Sequence, residues 1–189
     1  NLVQGDGLTV GVALSEHPNI EMVSFTGSTR AGTDVSKRAS DTVKRVTLEL
    51  GGKSPNIIFG DCDLPGRVVE SVKECFYNSG QSCDAPTRLL VERSCYDQVL
   101  KISKQTALSQ EVGDPNNEGE HIGPLFDQIQ FERVQNMIDV GINEGAELLV
   151  GGLGKPKGFD TGWFVKPTIF HKVSNDMRIA NEEIFGPVL

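Results

Sequence analysis

The sequence lacks the features of a membrane-spanning or exported protein. No apolar run approaches the roughly 20 residues that a membrane-spanning helix requires, and Asn1–Gly5 has neither the basic nor the apolar region of a signal peptide. The four cysteines include no Cys-x-x-Cys pair and have no histidine at zinc-site spacing. We therefore expect a cytoplasmic protein with reduced thiols, no metal site and no disulfide framework.

An excess of positive charge is also missing. The net charge of −8 disfavours a nucleic-acid partner, because a phosphate backbone is bound through Lys and Arg. Charged residues make up 23% of the chain and apolar residues 38%, which is typical of a soluble globular protein. The 189 residues suffice for one domain, or for one domain and part of another, and do not begin with Met. We expect a piece of a longer protein.

Strand and helix patterns alternate along the chain. Apolar and alternating runs bounded by turn residues predict strands at 20–26, 43–50, 55–59, 87–92, 147–150 and 164–170. Helical spacing predicts helices at about 29–39, 64–78, 95–110 and 127–144, the last with Phe131, Val134, Ile138 and Ile142 buried. This order predicts an α/β fold with a mainly parallel open sheet and flanking helices. Gly51-Gly52 is the expected domain junction.

Two glycine clusters resemble nucleotide-binding loops. Gly5-x-Gly7-x-x-x-Gly11 is one residue off the dinucleotide fingerprint, and a plain turn is the favoured interpretation. The second cluster, Gly27–Gly32, has P-loop glycine spacing, but Thr33-Asp34 replaces the required Lys-Ser/Thr. It still joins a strand to a helix N-terminus, where a pyrophosphate could bind. An ordinary strand-to-helix turn is an equally good interpretation of the spacing.

Cys83 and Glu49 are the candidate reactive residues. Cys83 lies in a loop of small and turn-forming residues between a helix and a strand, where a thiol can reach solvent; Cys62, Cys75 and Cys95 are assigned to packing or bland surface. Glu49 precedes two glycines and is flanked by Leu48 and Leu50, so partial desolvation could make it a general base. An exposed strand-end glutamate is the simpler alternative.

Four motifs occur together in one order along the chain. They are Phe25-Thr-Gly-Ser-Thr29, Leu48-Glu-Leu-Gly-Gly-Lys53, Gly80-Gln-Ser-Cys83 and Glu182-Glu-Ile-Phe-Gly-Pro187. This set resembles the NAD(P)-dependent aldehyde dehydrogenase superfamily, and the resemblance covers essentially the whole chain. It implies oxidation of an aldehyde to a carboxylic acid through a cysteine thiohemiacetal and thioester.

The resemblance also implies a role for individual residues. Cys83 matches the nucleophile, and Glu49 matches the base that activates water for deacylation. The residues that match cofactor contacts are Gly27 and Ser28 at the pyrophosphate, Gly7 at the adenine pocket, Leu50 beside the nicotinamide, Glu183 at the nicotinamide ribose, and Phe185 as its packing partner. The implied cofactor is NAD or NADP, and the implied partner is a small-molecule aldehyde.

Measured against that family, the chain is expected to be a fragment truncated at both ends. Residues 1–51 match the C-terminal part of the dinucleotide-binding domain, and 52–189 match a catalytic domain incomplete at its C-terminus. We expect the isolated fragment to be inactive and its parent to be a homodimer or homotetramer, without nucleic-acid or membrane partners. Two alternatives stay open: a CoA-acylating relative, which Glu49 argues against, and a non-catalytic structural or binding relative.

Overall fold

The chain divides into two units, Asn1–Gly51 and Gly52–Leu189. The computed structural model describes residues 1–189. In chain order the helices and strands are α1 (Val12–Glu16), β1 (Met22–Gly27), α2 (Thr29–Ser40), β2 (Arg45–Leu50), β3 (Pro55–Ile58), α3 (Leu64–Phe76), β4 (Arg88–Val91), α4 (Tyr96–Ser109), α5 (Gln128–Asn143), β5 (Glu147–Val150), β6 (Ile169–His171) and α6 (Arg178–Asn181).

The first unit pairs β1 with β2 in parallel, and α2 connects them. Met22 lies opposite Arg45, and Gly27 lies opposite Leu50. Helix α2 approaches β2 closely at Gly32, since a Cβ there would lie 2.7 Å from Cδ2 of Leu50. The ends of β1 and β2 that carry Gly27 and Leu50 therefore lie side by side, next to the start of α2.

The second unit contains a parallel pair, β3–β4, and an antiparallel pair, β5–β6. Helix α3 connects β3 to β4 and begins where the Asp63 side chain accepts from the Gly66 N–H. Its apolar stripe is fully removed from solvent: Val68, Val72, Cys75 and Phe76 are each at most 1% exposed. Because successive turns of α3 place these residues on one face, the helix is fixed against the core.

The largest apolar cluster of the second unit centres on α5. Val134 and Ile138 are 0% exposed and pack with Ile184 and Val188 from the chain's last segment. That segment also pairs with β6, where the Thr168 N–H donates to Pro187 O and the Phe170 N–H donates to Leu189 O. The residues near Glu183 are therefore attached on one side to α5 and on the other to β6.

The α/β class with mainly parallel pairing is confirmed, and the details require corrections. The strands form three two-stranded pairs, and β5–β6 is antiparallel. Where a strand is expected at 164–170, the strand that forms is shorter and begins later, at Ile169–His171. Ile142 is 37% exposed, whereas Met137 and Gly141 complete the buried face of α5. None of the helices has the length and apolar character needed to cross a membrane.

Candidate functional site

The candidate residues fall into two groups, one in each unit. Gly7, Gly27, Ser28, Glu49 and Leu50 lie within Asn1–Gly51, and Cys83, Glu183 and Phe185 lie within Gly52–Leu189. Each group has its own local geometry. Within the second unit, the Cys83 loop and the Glu183–Phe185 segment are brought together by packing of the backbone.

The Cys83 loop begins where α3 ends. A 3₁₀ turn at Tyr77–Gly80 contains Asn78 and Ser79 in the left-handed region, with φ of 49° and 59°. Gly80 follows with φ of 69°. Left-handed residues end a helix by redirecting the backbone. The chain then enters a turn in which the Ala85 N–H donates to Ser82 O, and the Cys83 thiol lies exposed within it.

Side-chain hydrogen bonds hold this loop to the irregular segment at residues 123–126. The Ser79 hydroxyl donates to Gly123 O at 2.9 Å, and the Phe126 N–H donates to the Gln81 side-chain oxygen at 2.9 Å. The Asn78 amide donates to Gln81 O within the loop at 3.0 Å. Because these hydrogen bonds fix the residues just before Cys83, the backbone that carries its thiol is held in one conformation.

Close backbone packing joins this loop to the segment that follows Phe185. A Cβ on Gly80 would lie 2.1 Å from Gly186 O and 2.7 Å from Pro187 N. No side chain fits between two backbones at that separation, so only glycine allows the approach. The loop that carries Cys83 thus lies directly against the segment that carries Glu183 and Phe185.

The other three cysteines are shielded. Cys75 is 0% exposed, its thiol donates to Val188 O at 3.7 Å, and burial raises its pKa to about 12 although the nearby Lys53 charge opposes the rise. Cys95 is buried with its thiol donating to Glu92 O, and Cys62 is half-buried. Cys83 is the only one of the four cysteines that is exposed.

Glu183 is held by main-chain and side-chain contacts. The Gly52 N–H donates to its carboxylate at 3.2 Å, and the Arg133 guanidinium donates to its carbonyl oxygen at 2.7 Å. Burial lowers the pKa of the nearby Lys53 to about 8, although the Glu183 carboxylate opposes this fall. Phe185 has a φ of 59°, which is uncommon for a residue with a side chain.

An apolar cavity of about 240 Å³ opens between β4, α4 and β6. Lys53 and Ile184 contribute to its wall, and Cys83 does not. Tyr96 and His171 also line the cavity. The candidate for chemistry is nevertheless the exposed Cys83, whose loop is fixed by the hydrogen bonds of Ser79 and Gln81.

The N-terminus of α2 has the properties of an anion site. Ser28 caps the helix by accepting from the Ala31 N–H at 3.3 Å, and the first turn has no acidic side chain. Gly27 precedes it, where a Cβ would lie 2.6 Å from the Phe25 ring. The remaining free N–H groups and the helix dipole favour a phosphate. The residues present therefore fit a pyrophosphate.

Gly7 has a different setting. It begins a π-helical turn, Gly7–Gly11, whose N-terminus is capped by Asp6, with the Thr9 N–H donating to the Asp6 carboxylate at 2.8 Å. This hydrogen bond lowers the pKa of Asp6. The capping carboxylate makes this helical turn unsuited to a phosphate. The plain turn that the spacing favours does not form, because Gly7–Gly11 is π-helical and continues into α1. Nothing lies within 4 Å of a Cβ at Gly7, so its surface is open.

Glu49 and Leu50 occupy the end of β2. Glu49 pairs with Thr26 across the parallel register and is exposed, while Leu48 and Leu50 on the opposite face are half-buried beside Gly32 of α2. The partial desolvation suggested by its leucine neighbours is therefore absent, because the two leucines point to the other face. The alternation itself places the Glu49 carboxylate free to meet a ligand.

Sequence reasoning missed two residues at this site. Gln130 and Arg133 lie one helical turn apart on α5 and donate to the backbone of 183–185. No short-range signal marks them, because their partners lie 50 to 55 positions away in the chain. Lys53 lies in one of the four motifs, and no pattern in the sequence indicates that it is half-buried.

Comparisons with known proteins give one consistent result. The profile of the aldehyde dehydrogenase family matches residues 1–189. The chain is 53% identical to a 3-succinoylsemialdehyde-pyridine dehydrogenase from a Pseudomonas species and 50% identical to a putative aldehyde dehydrogenase from Staphylococcus saprophyticus, in each case over the whole of this chain. It spans 40% of the length of these curated relatives.

Solved structures agree with the sequence relatives. An aldehyde dehydrogenase from Bartonella henselae is 54% identical, with a TM-score of 0.97 over 100% of this chain and 40% of its own. An aldehyde dehydrogenase C mutant from Pseudomonas syringae, complexed with NAD+ and octanal, is 50% identical with a TM-score of 0.96 over 100% of this chain and 39% of its own. The fold of this chain is thus shared with aldehyde dehydrogenases of much greater length.

Proposed function

This chain belongs to the aldehyde dehydrogenase family, and we propose that it carries the nucleophile and the general base of an enzyme that oxidises an aldehyde to a carboxylic acid with NAD or NADP. The observation that carries the proposal is the exposed Cys83 thiol on a loop fixed by Ser79, Gly80 and Gln81. The Pseudomonas syringae relative that binds NAD+ and octanal supports the same cofactor and substrate class.

In the proposed reaction the Cys83 thiolate adds to the aldehyde carbon and forms a thiohemiacetal. Bound NAD(P)+ supplies the hydride acceptor for the oxidation that leaves a thioester on Cys83. Glu49 then accepts a proton from water as that water attacks the thioester carbon, and the carboxylic acid leaves as Cys83 is released. An exposed carboxylate at a strand end is free to take this position.

The resemblance to the family implies the cofactor-binding roles, and the local geometry is compatible with them. Gly27 and Ser28 hold the pyrophosphate with the N-terminus of α2, because that helix end has free N–H groups and no competing carboxylate. Leu50 contributes an apolar contact to the nicotinamide, and Gly7 contributes an open backbone surface to the adenine pocket. Glu183 accepts from the nicotinamide ribose hydroxyls, and Phe185 packs beside them.

We further propose that residues 1–51 are part of a dinucleotide-binding domain and 52–189 part of a catalytic domain, within a homodimer or homotetramer. The chain spans 40% of the length of its curated relatives, so we expect the 189 residues alone not to turn over aldehyde. Sustained NAD(P)H production by the isolated chain with an aldehyde would contradict this expectation.

The function is tested in the complete protein that contains these residues. Cys83→Ala should abolish NAD(P)H production from aldehyde, whereas Cys62→Ala, at a half-buried thiol, should leave it within about twofold. Glu49→Gln should leave a single burst of NAD(P)H and slow the steady rate by a factor of about 10² to 10⁴, as expected for loss of a general base. Full activity in Cys83→Ala would refute the nucleophile assignment, and unchanged deacylation in Glu49→Gln would show that Glu49 is not the general base.

A further inference from the structure

The carbonyl oxygens of Glu183, Ile184 and Phe185 have no backbone donor. No main-chain N–H donates to any of them. Two side chains of α5 supply the donors instead: the Gln130 amide donates to Ile184 O at 3.1 Å and to Phe185 O at 2.7 Å, and the Arg133 guanidinium donates to Glu183 O at 2.7 Å. One helix face thus satisfies three consecutive carbonyls.

The segment also needs a conformational constraint. Phe185 has a φ of 59°, a region that is unfavourable for a residue with a Cβ. Ile184 is 1% exposed, so its carbonyl lies in partly buried surroundings where a missing donor is costly. Since the amide of Gln130 bridges the carbonyls of the two peptides that flank the Cα of Phe185, it holds Phe185 in this left-handed conformation.

Packing fixes the same segment from the other side. A Cβ on Gly186 would lie 2.6 Å from the Val134 side chain of α5, and Gly80 contacts the Gly186 carbonyl. The chain between Glu183 and Gly186 is therefore clamped between α5 and the Cys83 loop. Removing the Gln130 donor would release the middle of this clamp without touching the Cys83 loop itself.

From these contacts we propose that Gln130 is a positioning residue that sets the direction of the Glu183 and Phe185 side chains toward the nicotinamide ribose. It acts through the main chain of 184–185. The inference rests on the proposed function, since it needs Glu183 to hold the cofactor. Its consequence is selective: cofactor affinity depends on Gln130, and the chemistry of Cys83 does not.

The test compares Gln130→Met with Gln128→Met in the complete protein. Methionine keeps the length and flexibility of the side chain and removes the donor. Gln128 is an exposed residue of the same helix whose amide donates only to Glu132. We expect Gln130→Met to raise the KM for NAD(P) about tenfold, equivalent to about 1.4 kcal/mol. Aldehyde KM, kcat at saturating cofactor, and the rate of Cys83 alkylation without cofactor should stay within about twofold, and Gln128→Met should match the unsubstituted protein in all of them.

Two results would overturn the inference. If the unsubstituted protein is active and the KM for NAD(P) is unchanged in Gln130→Met, the inference about Gln130 is refuted and the proposed function is not. A parallel loss of kcat, Cys83 alkylation and melting temperature would show that Gln130 supports the fold in general rather than the cofactor segment. Failure of the unsubstituted protein to bind NAD(P) is a different outcome, because it would refute the proposed function and the inference with it.

Discussion

Gly80→Ala tests whether the Cys83 loop depends on close backbone contact. The new Cβ would lie 2.1 Å from Gly186 O, 2.3 Å from Gly186 C and 2.7 Å from Pro187 N. All three are backbone atoms, so the clash cannot be relieved by turning a side chain. Overpacking of this kind costs about 1–3 kcal/mol, and the left-handed φ of 69° adds about 1–2 kcal/mol for a residue with a Cβ. We expect a loss of about 2–5 kcal/mol in the free energy of unfolding.

Thermal unfolding of the complete protein measures this loss. At about 2–4 °C per kcal/mol for a domain of roughly 150–250 residues, the melting temperature should fall by about 4–20 °C. The rate of Cys83 alkylation by iodoacetamide should also change, because the loop is displaced. Gly123→Ala is the matched control: it lies beside the same loop, and only the Ser79 hydroxyl, at 3.9 Å, approaches its Cβ position. If Gly80→Ala has the same melting temperature as Gly123→Ala and Cys83 is alkylated at the normal rate, the Cys83 loop does not depend on the close contact between Gly80 and Gly186.

Three further outcomes are expected. Burial lowers the pKa of Lys53 from 10.5 to about 8, so the unfolded chain binds more protons between these values and stability should rise with pH across this range. The gain in the free energy of unfolding is at most about 3 kcal/mol, and partial solvent exposure of Lys53 reduces it. The gain should be absent in Lys53→Met and retained in Lys73→Met, a control at an exposed lysine. Denaturant titrations at pH 7.5 and 10 measure it. Ile138→Ala, at 0% exposure, should cost about 2–5 kcal/mol in urea unfolding, whereas Ile129→Ala, at 76%, should cost under about 0.5. Substoichiometric iodoacetamide should label Cys83 before Cys75, whose pKa burial raises to about 12; peptide mass mapping that finds Cys75 labelled first would contradict the burial argument.

Local patterns were enough for most elements of the fold. The helix predicted at about 64–78 forms as Leu64–Phe76, with Asp63 as its N-cap and an apolar stripe from Val68 to Phe76 that is buried. Both features depend on residues within a few positions of one another. The strand predicted at 164–170 is wrong in extent, because strand formation depends on a distant partner. Its first apolar residues are buried without forming a strand, and only Ile169–His171 pairs with β5. Apolar character alone does not distinguish these two ways of burial.

The candidate site shows the same division at longer range. The exposure of Cys83 could be predicted from small and turn-forming neighbours in the sequence. The contact between the Gly52 N–H and Glu183 joins residues 131 positions apart, and no local pattern encodes it. Likewise Glu49 sits on the face that its period-two position predicts, but its exposure depends on what the rest of the structure covers.

In the second unit, two different long-range contacts support the Cys83 loop and the Glu183 segment. Gly80 allows the Cys83 loop to touch the Gly186 backbone, and Gln130 with Arg133 fixes the carbonyls just before it. Neither device uses a reactive group, and both act on main-chain atoms. A substitution at Gly80 should therefore disturb the thiol and the Glu183 segment together, whereas one at Gln130 should disturb the Glu183 segment alone. Comparing Cys83 alkylation with cofactor KM in the two variants separates a shared backbone support from a local one.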